Sequence, residues 1–464
     1  MGIFCMILLQ IGQYSASLNK VIEEFKKIPE AKYVNVSVSV REVNTNSEIF
    51  AYQSDLSLAP ASTFKLLSTA AVLENFGPEY RFQSDAYLTG NIVENVLYGN
   101  IVVDCNFNPA FGAKRFNKNT LNDIVNSLKT SNIKRIEGRV IAKKTDKMEI
   151  PMDWKIGDVG NYYGAFPSDF NYNENMFSVF FDSDTKLGDT VKIGSIIPEY
   201  SKWKIINKVT AAAQGTGDQV NFISLPYSKE IIAIGTIPVN SRNFEIKGSI
   251  PEPNLVFEDI LTKTLIENGI EVAGKNYDNQ ERKPFFSESS PPISELIREC
   301  NYKSVNFLAD AFGNALLQKT GIKSLSEMYK AIFGNRDSVN YNLFRINDAS
   351  GLSPSNTIST SAMTRFLSGN TKLENFDVFF ESIPIVGENG TVRGFDSNKK
   401  TGGRIHAKSG SIGGVKNLAG YFKNPKNELY AFGIYLTGLN DTAGLFSRNF
   451  YEKMLIAMID IGQF

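Results

Sequence analysis

Histidine is nearly missing from this chain: His406 is the only one among 464 residues. A zinc site built from several imidazoles is therefore excluded. A Ser-His-Asp triad would have to use His406, and no G-x-S-x-G elbow accompanies any serine. Cysteine is scarce as well. Cys5 lies in an N-terminal apolar run, and Cys105 and Cys300 have no C-x-x-C spacing. A disulfide between the last two stays open, but two buried free thiols are the favoured reading. Net charge is absent, since Lys+Arg and Asp+Glu both number 49. That argues against nucleic acid or an anionic membrane as the principal partner. No apolar run reaches the ~18 residues of a membrane span. No metal-ligand cluster is visible, and neither metal nor cofactor is expected.

What remains is an ordinary globular composition, 42% hydrophobic and 21% charged, with a length prior of about three domains. Residues 1–16 read as a signal segment. Ile3 to Ile11 supply the apolar stretch, and Tyr14-Ser15-Ala16-Ser17 supply small residues for cleavage. No Lys or Arg precedes Lys20, so a plain buried helix is the alternative. The expected location is periplasmic or secreted.

Along the chain, residues 18–28 read as an amphipathic helix. Tyr33 to Val40 alternate strictly and predict a strand, with Glu48 to Tyr52 pairing back as a hairpin. Residues 180–250 are strand-rich. Pro251-Glu252-Pro253 and Ser289-Ser290-Pro291-Pro292 mark joints. Val305 to Lys319 predict a helix closed by Gly321. Leu418 to Phe422 and Leu429 to Leu436 predict a hairpin, and Asn449 to Ile459 a closing helix. The N- and C-terminal strands are expected to share one antiparallel sheet covered by helices.

One short stretch carries chemistry. Ala59-Pro60-Ala61-Ser62-Thr63-Phe64-Lys65 is a turn that runs straight into the apolar Leu66, Leu67, Ala70, Ala71 and Leu73. Residues three apart share a helical face, so the Ser62 hydroxyl and the Lys65 amine can meet. The helix start adds unpaired N–H groups that suit an oxyanion. S-x-x-K also occurs at Ser17, Ser131, Ser183, Ser201 and Ser397, but only at Ser62 does a buried-type helix follow at once. With histidine so scarce, a serine hydrolase here needs lysine as base. Such a lysine must be partly neutral, with its pKa drawn to roughly 7–8.

Two further patterns follow. Ser304-Val305-Asn306 stands at a helix entry, where a plain N-cap serine is the competing reading. Lys408-Ser409-Gly410, followed by Ser411, ends a strand-like run that begins Ile405-His406-Ala407. K-[ST]-G also occurs at Lys319, where Gly321 is an ordinary helix stop, and at Lys400, which sits in a polar loop.

S-x-x-K, S-x-N and K-[ST]-G in this order resemble the set of the penicillin-binding proteins and serine β-lactamases. The stretch between Ser62 and Ser304 is too long for a β-lactamase. It fits the class C low-molecular-mass penicillin-binding proteins, the D-alanyl-D-alanine carboxypeptidase/endopeptidase family. Trp154, Gly160 to Ala165, Asn173-Glu174-Asn175, Asp348 to Ser353, Gly387 to Thr391 and His406 to Ser411 add to the resemblance. It covers nearly the whole chain beyond the signal segment. Val305 stands where Asp is common, Ser409 replaces Thr, and Lys143 stands where the family often has an acid.

The resemblance implies an α+β fold: a β-lactamase/transpeptidase-like domain with an antiparallel sheet flanked by helices. Residues 17–85 and 286–464 would form it. Residues 86–285 would be an inserted, partly β-rich accessory region, with 86–179 and 251–285 as one part and 180–250 as the other. It further implies a Ser62 nucleophile and Lys65 as its base, kept neutral by the nearby cation Lys408. Ser304 would relay a proton and Asn306 would orient Lys65. Lys408, Ser409, Gly410 and Ser411 would hold substrate, with Ser62 and Ser411 N–H groups on the oxyanion. The expected activity is D,D-peptidase action on peptidoglycan peptides, with β-lactams as covalent inhibitors. A β-lactamase-like hydrolase and a non-catalytic wall-binding protein of the same fold are the rivals. Neither carboxypeptidase against endopeptidase action nor oligomeric state is legible.

Overall fold

A computed structural model describes residues 2–144, 150–225, 228–278, 281–396 and 398–461, with side chains from residue 14 onward. The S-x-x-K serine at 397 and the Cys5 thiol lie outside the described set. The chain divides into two compact units. One comprises the segment through Tyr80 together with Ile293 onward, and the other is Arg81–Pro292. The boundaries move outward from 86 and 285 because Gln83–Thr89 and Arg282–Ser289 pair with one another as strands of the second unit.

The first unit is built on five antiparallel strands. They are β1 (Asn35–Glu42), β2 (Glu48–Tyr52), β3 (Ile405–Ile412), β4 (Val415–Lys423) and β5 (Leu429–Thr437). Their order in the sheet is β3-β4-β5-β1-β2, which leaves β3 as an edge strand. The two ends of the chain meet where β1 pairs β5, from Asn35 opposite Thr437 to Glu42 opposite Tyr430. The alternation in β1 does not leave a solvent face, for Ser37 and Ser39 are fully buried. A helix covers that face, and its Thr360 and Thr364 meet the two serine hydroxyls at 2.8 Å each. Pairing buried hydroxyls removes the cost of about 1–3 kcal/mol that an unsatisfied one would carry.

The longer helices of this unit are α1 (Gly2–Lys26), α2 (Lys65–Phe76), α3 (Ile293–Lys303), α4 (Asn306–Thr320), α5 (Leu325–Asp337), α6 (Thr360–Asn370) and α7 (Asp441–Ile459), of which α6 and α7 pack directly on the sheet. The helix expected over 18–28 is continuous with the N-terminal apolar run, as α1. No helix among the described residues is long and apolar enough to cross a membrane. α1 and α7 share a core with β1: Leu18, Ile22 and Phe25 pack with Val36, Val38, Phe450 and Met454. Each such side chain contributes about 1.5–3 kcal/mol on burial. The start of α7 is capped by Asn440, which accepts from Ala443 N at 2.7 Å. α2 stops at Gly77, whose φ of +85° only glycine adopts readily.

The second unit has two cores. In one, Gln83–Thr89, Ile101–Asp104, Val140–Lys143 and Arg282–Ser289 form a sheet. Ile124, Leu128, Phe257 and Leu261, from helices Thr120–Thr130 and Pro253–Glu267, pack with it. In the other, two three-stranded sheets within 176–249 enclose Phe177, Val179, Val209, Phe222 and Ile231. Some stretches that carry the family resemblance are structural pins here. Gly160 lies so close to Phe222 O that a Cβ would come within 2.1 Å of it. Asn173, Glu174 and Asn175 all have positive φ, and Glu174 is held by Arg115 at 2.7 Å. Cys105 and Cys300 are buried free thiols.

Candidate active site

Ser62 sits on a 3-10 turn, Ala61–Phe64, that leads without a break into α2 at Lys65. The turn is pinned on three sides. Asn417 of β4 donates to Ala59 O at 2.7 Å, and Thr63 Oγ1 meets the Tyr435 hydroxyl at 3.0 Å. Gly351 presses on Ala61, where a Cβ would stand 1.9 Å from the carbonyl oxygen. Ala61 itself has a φ of +47°. Such backbone costs of order 1–3 kcal/mol and persists only where its surroundings fix it.

Lys65 is fully buried. Its Nζ lies 2.9 Å from Ser62 Oγ, 2.6 Å from Asn306 Oδ1 and 2.7 Å from Ser350 O. The last two are carbonyl oxygens, which only accept. They take two N–H groups, so the third tetrahedral position of the amine faces Ser62. In neutral Lys65 that position is the lone pair, aimed at the serine hydroxyl. Burial lowers the Lys65 pKa, and Cys300, Asp310 and Asp348 oppose the shift. Burial, not the charge of Lys408, is thus the leading cause of the downward shift at Lys65. The repulsion is felt at Lys408, whose pKa lies well below the ordinary lysine value through burial first and Lys65 second.

Lys408 Nζ donates to Ser304 Oγ at 2.9 Å and to Ser409 O at 2.7 Å. Ser304 joins α3 to α4 with a φ of +57°. The N-cap residue of α4 is Val305, with no side-chain cap bond, so Ser304 does not serve as a plain cap. Its hydroxyl is turned to Lys408 instead. Gly410 lies against the Ser62 turn: a Cβ would come within 2.8 Å of Pro60 O and 2.9 Å of Ser62 N. Ser409 Oγ meets Thr391 Oγ1 at 2.7 Å, and Ser411 is exposed on the same edge strand.

The other candidates lie apart. His406 Nδ1 pairs with Ile383 O at 3.1 Å and its ring stacks 4.1 Å from that of Phe380. Burial lowers its pKa. Lys400 is exposed in its loop, and Lys319 Nζ lies 4.2 Å over the Phe76 ring at the end of α4. Lys143 is paired with Asp104 within the second unit.

The acids behind Lys65 are not among the motifs. Asp348 accepts from Gly351 N at 2.7 Å and from Asn356 Nδ2 at 2.8 Å, which closes the loop that presents Ser350 O. Asp310 accepts from Ala349 N at 2.9 Å. Burial and then Asp348 raise its pKa well above the usual carboxyl value. Asp348 lies in a stretch that carries the resemblance. Asp310 is the lone charge in the apolar run Asn306 to Leu317, and that oddity is its one signal. Together these groups can strip a proton from Ser62, steady a developing oxyanion beside Gly410, and pass a proton through Ser304.

The model of the D-Ala-D-Ala carboxypeptidase 3 (S13) family matches residues 15–455. The chain is 24% identical over 460 residues to the D-alanyl-D-alanine carboxypeptidase DacB of Haemophilus influenzae, covering 92% of each. It is 24% identical over 469 residues to the D-alanyl-D-alanine carboxypeptidase of Actinomadura sp. strain R39, covering 93% of this chain and 83% of that one. Among solved structures, penicillin binding protein 4 (dacB) from Haemophilus influenzae superposes with a TM-score of 0.78 at 22% identity. That match covers 95% of this chain and 98% of the other, and it shows the shared fold.

Proposed function

Because the chain belongs to the D-Ala-D-Ala carboxypeptidase 3 (S13) family, we propose that it opens D,D bonds of peptidoglycan peptides through an acyl-enzyme on Ser62. It is a serine-type D-Ala-D-Ala carboxypeptidase and a penicillin-binding protein of the class C low-molecular-mass kind. Its partners are peptidoglycan peptides, with β-lactams as covalent inhibitors.

The observation that carries the mechanism is the three-way coordination of Lys65, with Asn306 and Ser350 as fixed acceptors and Ser62 in the remaining direction. Ser62 Oγ attacks the carbonyl carbon before the scissile bond while its proton passes to Lys65 Nζ. The Ser62 and Ser411 N–H groups hold the oxyanion. Ser304, on Lys408, relays the proton taken up by Lys65 to the leaving amine as the C–N bond breaks, so that Ser304 keeps its hydroxyl and Lys65 is neutral again. Water then attacks the ester and frees Ser62. The terminal carboxylate is held by Lys408 and Ser409. Burial disfavours the Lys408 charge, and an arriving carboxylate offsets that cost and restores it.

The enzyme works in the cell envelope, where its substrate lies. We place it in the periplasm or outside the cell, with the N-terminal apolar run as the export segment. Leu18, Ile22 and Phe25 belong to the core, so removal of a segment ending at Ala16 spares those three and takes away Tyr14, which packs on the same core. Lys143, with Asp104 as its partner, gives no support for the family's preference for one diamino-acid side chain.

The test is D-Ala release from a D-Ala–D-Ala peptide, followed across pH. Only neutral Lys65 can accept the Ser62 proton, so the rate must rise with pH as Lys65 deprotonates. Burial lowers that pKa, so the rising limb lies below the ordinary lysine value of about 10.4. No release by folded protein, or a limb that vanishes in His406→Ala, contradicts the reading.

A further inference from the structure

A cavity of about 340 Å³ opens beside Ser409 and Ser411. Thr391, Lys416 and Asn417 of β4, and Ser447, Arg448 and Tyr451 of α7 supply its other polar walls. Lys416 Nζ donates to Gly444 O at 3.0 Å and Ser447 Oγ at 3.2 Å. Arg448 is exposed, and its guanidinium spans Gly394, where a Cβ would come within 2.8 Å of Nη2. No Asp or Glu lines the cavity. Among the described residues none forms an ion pair with Lys416 or Arg448. The mechanism above uses neither cation.

Two uncompensated cations and a row of hydroxyls around one hollow form a carboxylate receptor, and the planar guanidinium matches a carboxylate in two-point contact. We infer that this cavity is a leaving-side subsite that holds a second carboxylate, carried by the residue beyond the scissile bond. The assignment rests on the proposed function, in which Ser409 takes the terminal carboxylate. Ser409 belongs to both places, and Gly410, beside Ser62 N, also borders the hollow. A residue whose main-chain carboxylate meets Ser409 therefore directs its side chain toward Lys416 and Arg448. The methyl of D-Ala leaves the hollow empty. A larger anionic residue, as where the leaving amine belongs to a second peptide of a cross-link, fills it.

The experiment compares kcat/KM for two peptides that end in D-Ala–D-Glu and D-Ala–D-Gln, equal in size and different in charge. The wild type is expected to favour D-Glu by at least about fivefold, with the ratio shrinking as salt rises. In Arg448→Ala the ratio should fall below about twofold, and Arg448→Lys should keep part of it. Arg448 makes no hydrogen bond to the described protein, so the change spares the fold, which circular dichroism verifies. A wild-type ratio near one, or a ratio kept in Arg448→Ala, overturns the subsite. A plain D-Ala–D-Ala peptide separates the two levels. Its cleavage with no D-Glu preference overturns the subsite alone, and failure to cleave any of the peptides overturns the proposed function with it.

Discussion

Lys65→Ala is expected to slow acylation by penicillin at least about 10²–10⁴-fold, the range for loss of a general base, while His406→Ala keeps most of the rate. Lys65 is the only described amine placed by the structure at Ser62 Oγ, 2.9 Å away. Its two other contacts, Asn306 Oδ1 and Ser350 O, fix its direction and do no proton transfer themselves. His406 spends Nδ1 on Ile383 O and its ring on Phe380. Removing it costs packing near an edge strand and no base. The alanine at 65 also removes the amine that donates to Asn306 Oδ1 and Ser350 O, and each such hydrogen bond contributes about 0.5–1.5 kcal/mol of stability. Stopped-flow acylation is therefore measured on protein shown to be folded. A folded, inactive His406→Ala protein would revive a histidine mechanism.

The second large effect separates the two nearby lysine-serine/threonine-glycine copies. Lys408→Ala should lower kcat/KM for a D-Ala–D-Ala peptide at least about tenfold, or ~1.4 kcal/mol. Lys400→Ala should change it by less than about threefold. Lys408 is fully buried and bound to Ser304 Oγ and Ser409 O. A carboxylate meeting such a fixed donor gains about 1.5–3 kcal/mol. Lys400 is exposed, and a mobile surface lysine contributes about 0–1 kcal/mol. Steady-state kinetics on both variants decide it, and the reverse ranking would mean that the Lys400 copy is the functional one.

Much of this architecture is legible because local pattern and tertiary role coincide. The apolar run after Lys65 demands a buried helix, and a buried helix is what holds Ser62 rigid. Gly77 and Gly321 stop helices at positive φ, where glycine carries no Cβ penalty. Other features depend on partners far away in sequence. The serines of β1 are buried, and their hydroxyl partners Thr360 and Thr364 lie 323 and 325 residues away in sequence. Ser350 enters the site through a main-chain carbonyl, which no side-chain motif encodes. Asp310 is invisible to motif reading because its effect arises from burial beside Asp348 and Lys65. The same holds for the base. A neighbouring cation is an obvious way to lower the Lys65 pKa, but burial, which depends on the complete fold, is the cause that lowers it.

The central claim is that Ser62 is the nucleophile. Folded protein is incubated with a fluorescent penicillin, digested, and the labelled peptide sequenced by mass spectrometry. The account predicts one covalent adduct, on Ser62, and none in Ser62→Ala. An adduct on any other serine, or no adduct on folded wild-type protein, would contradict it.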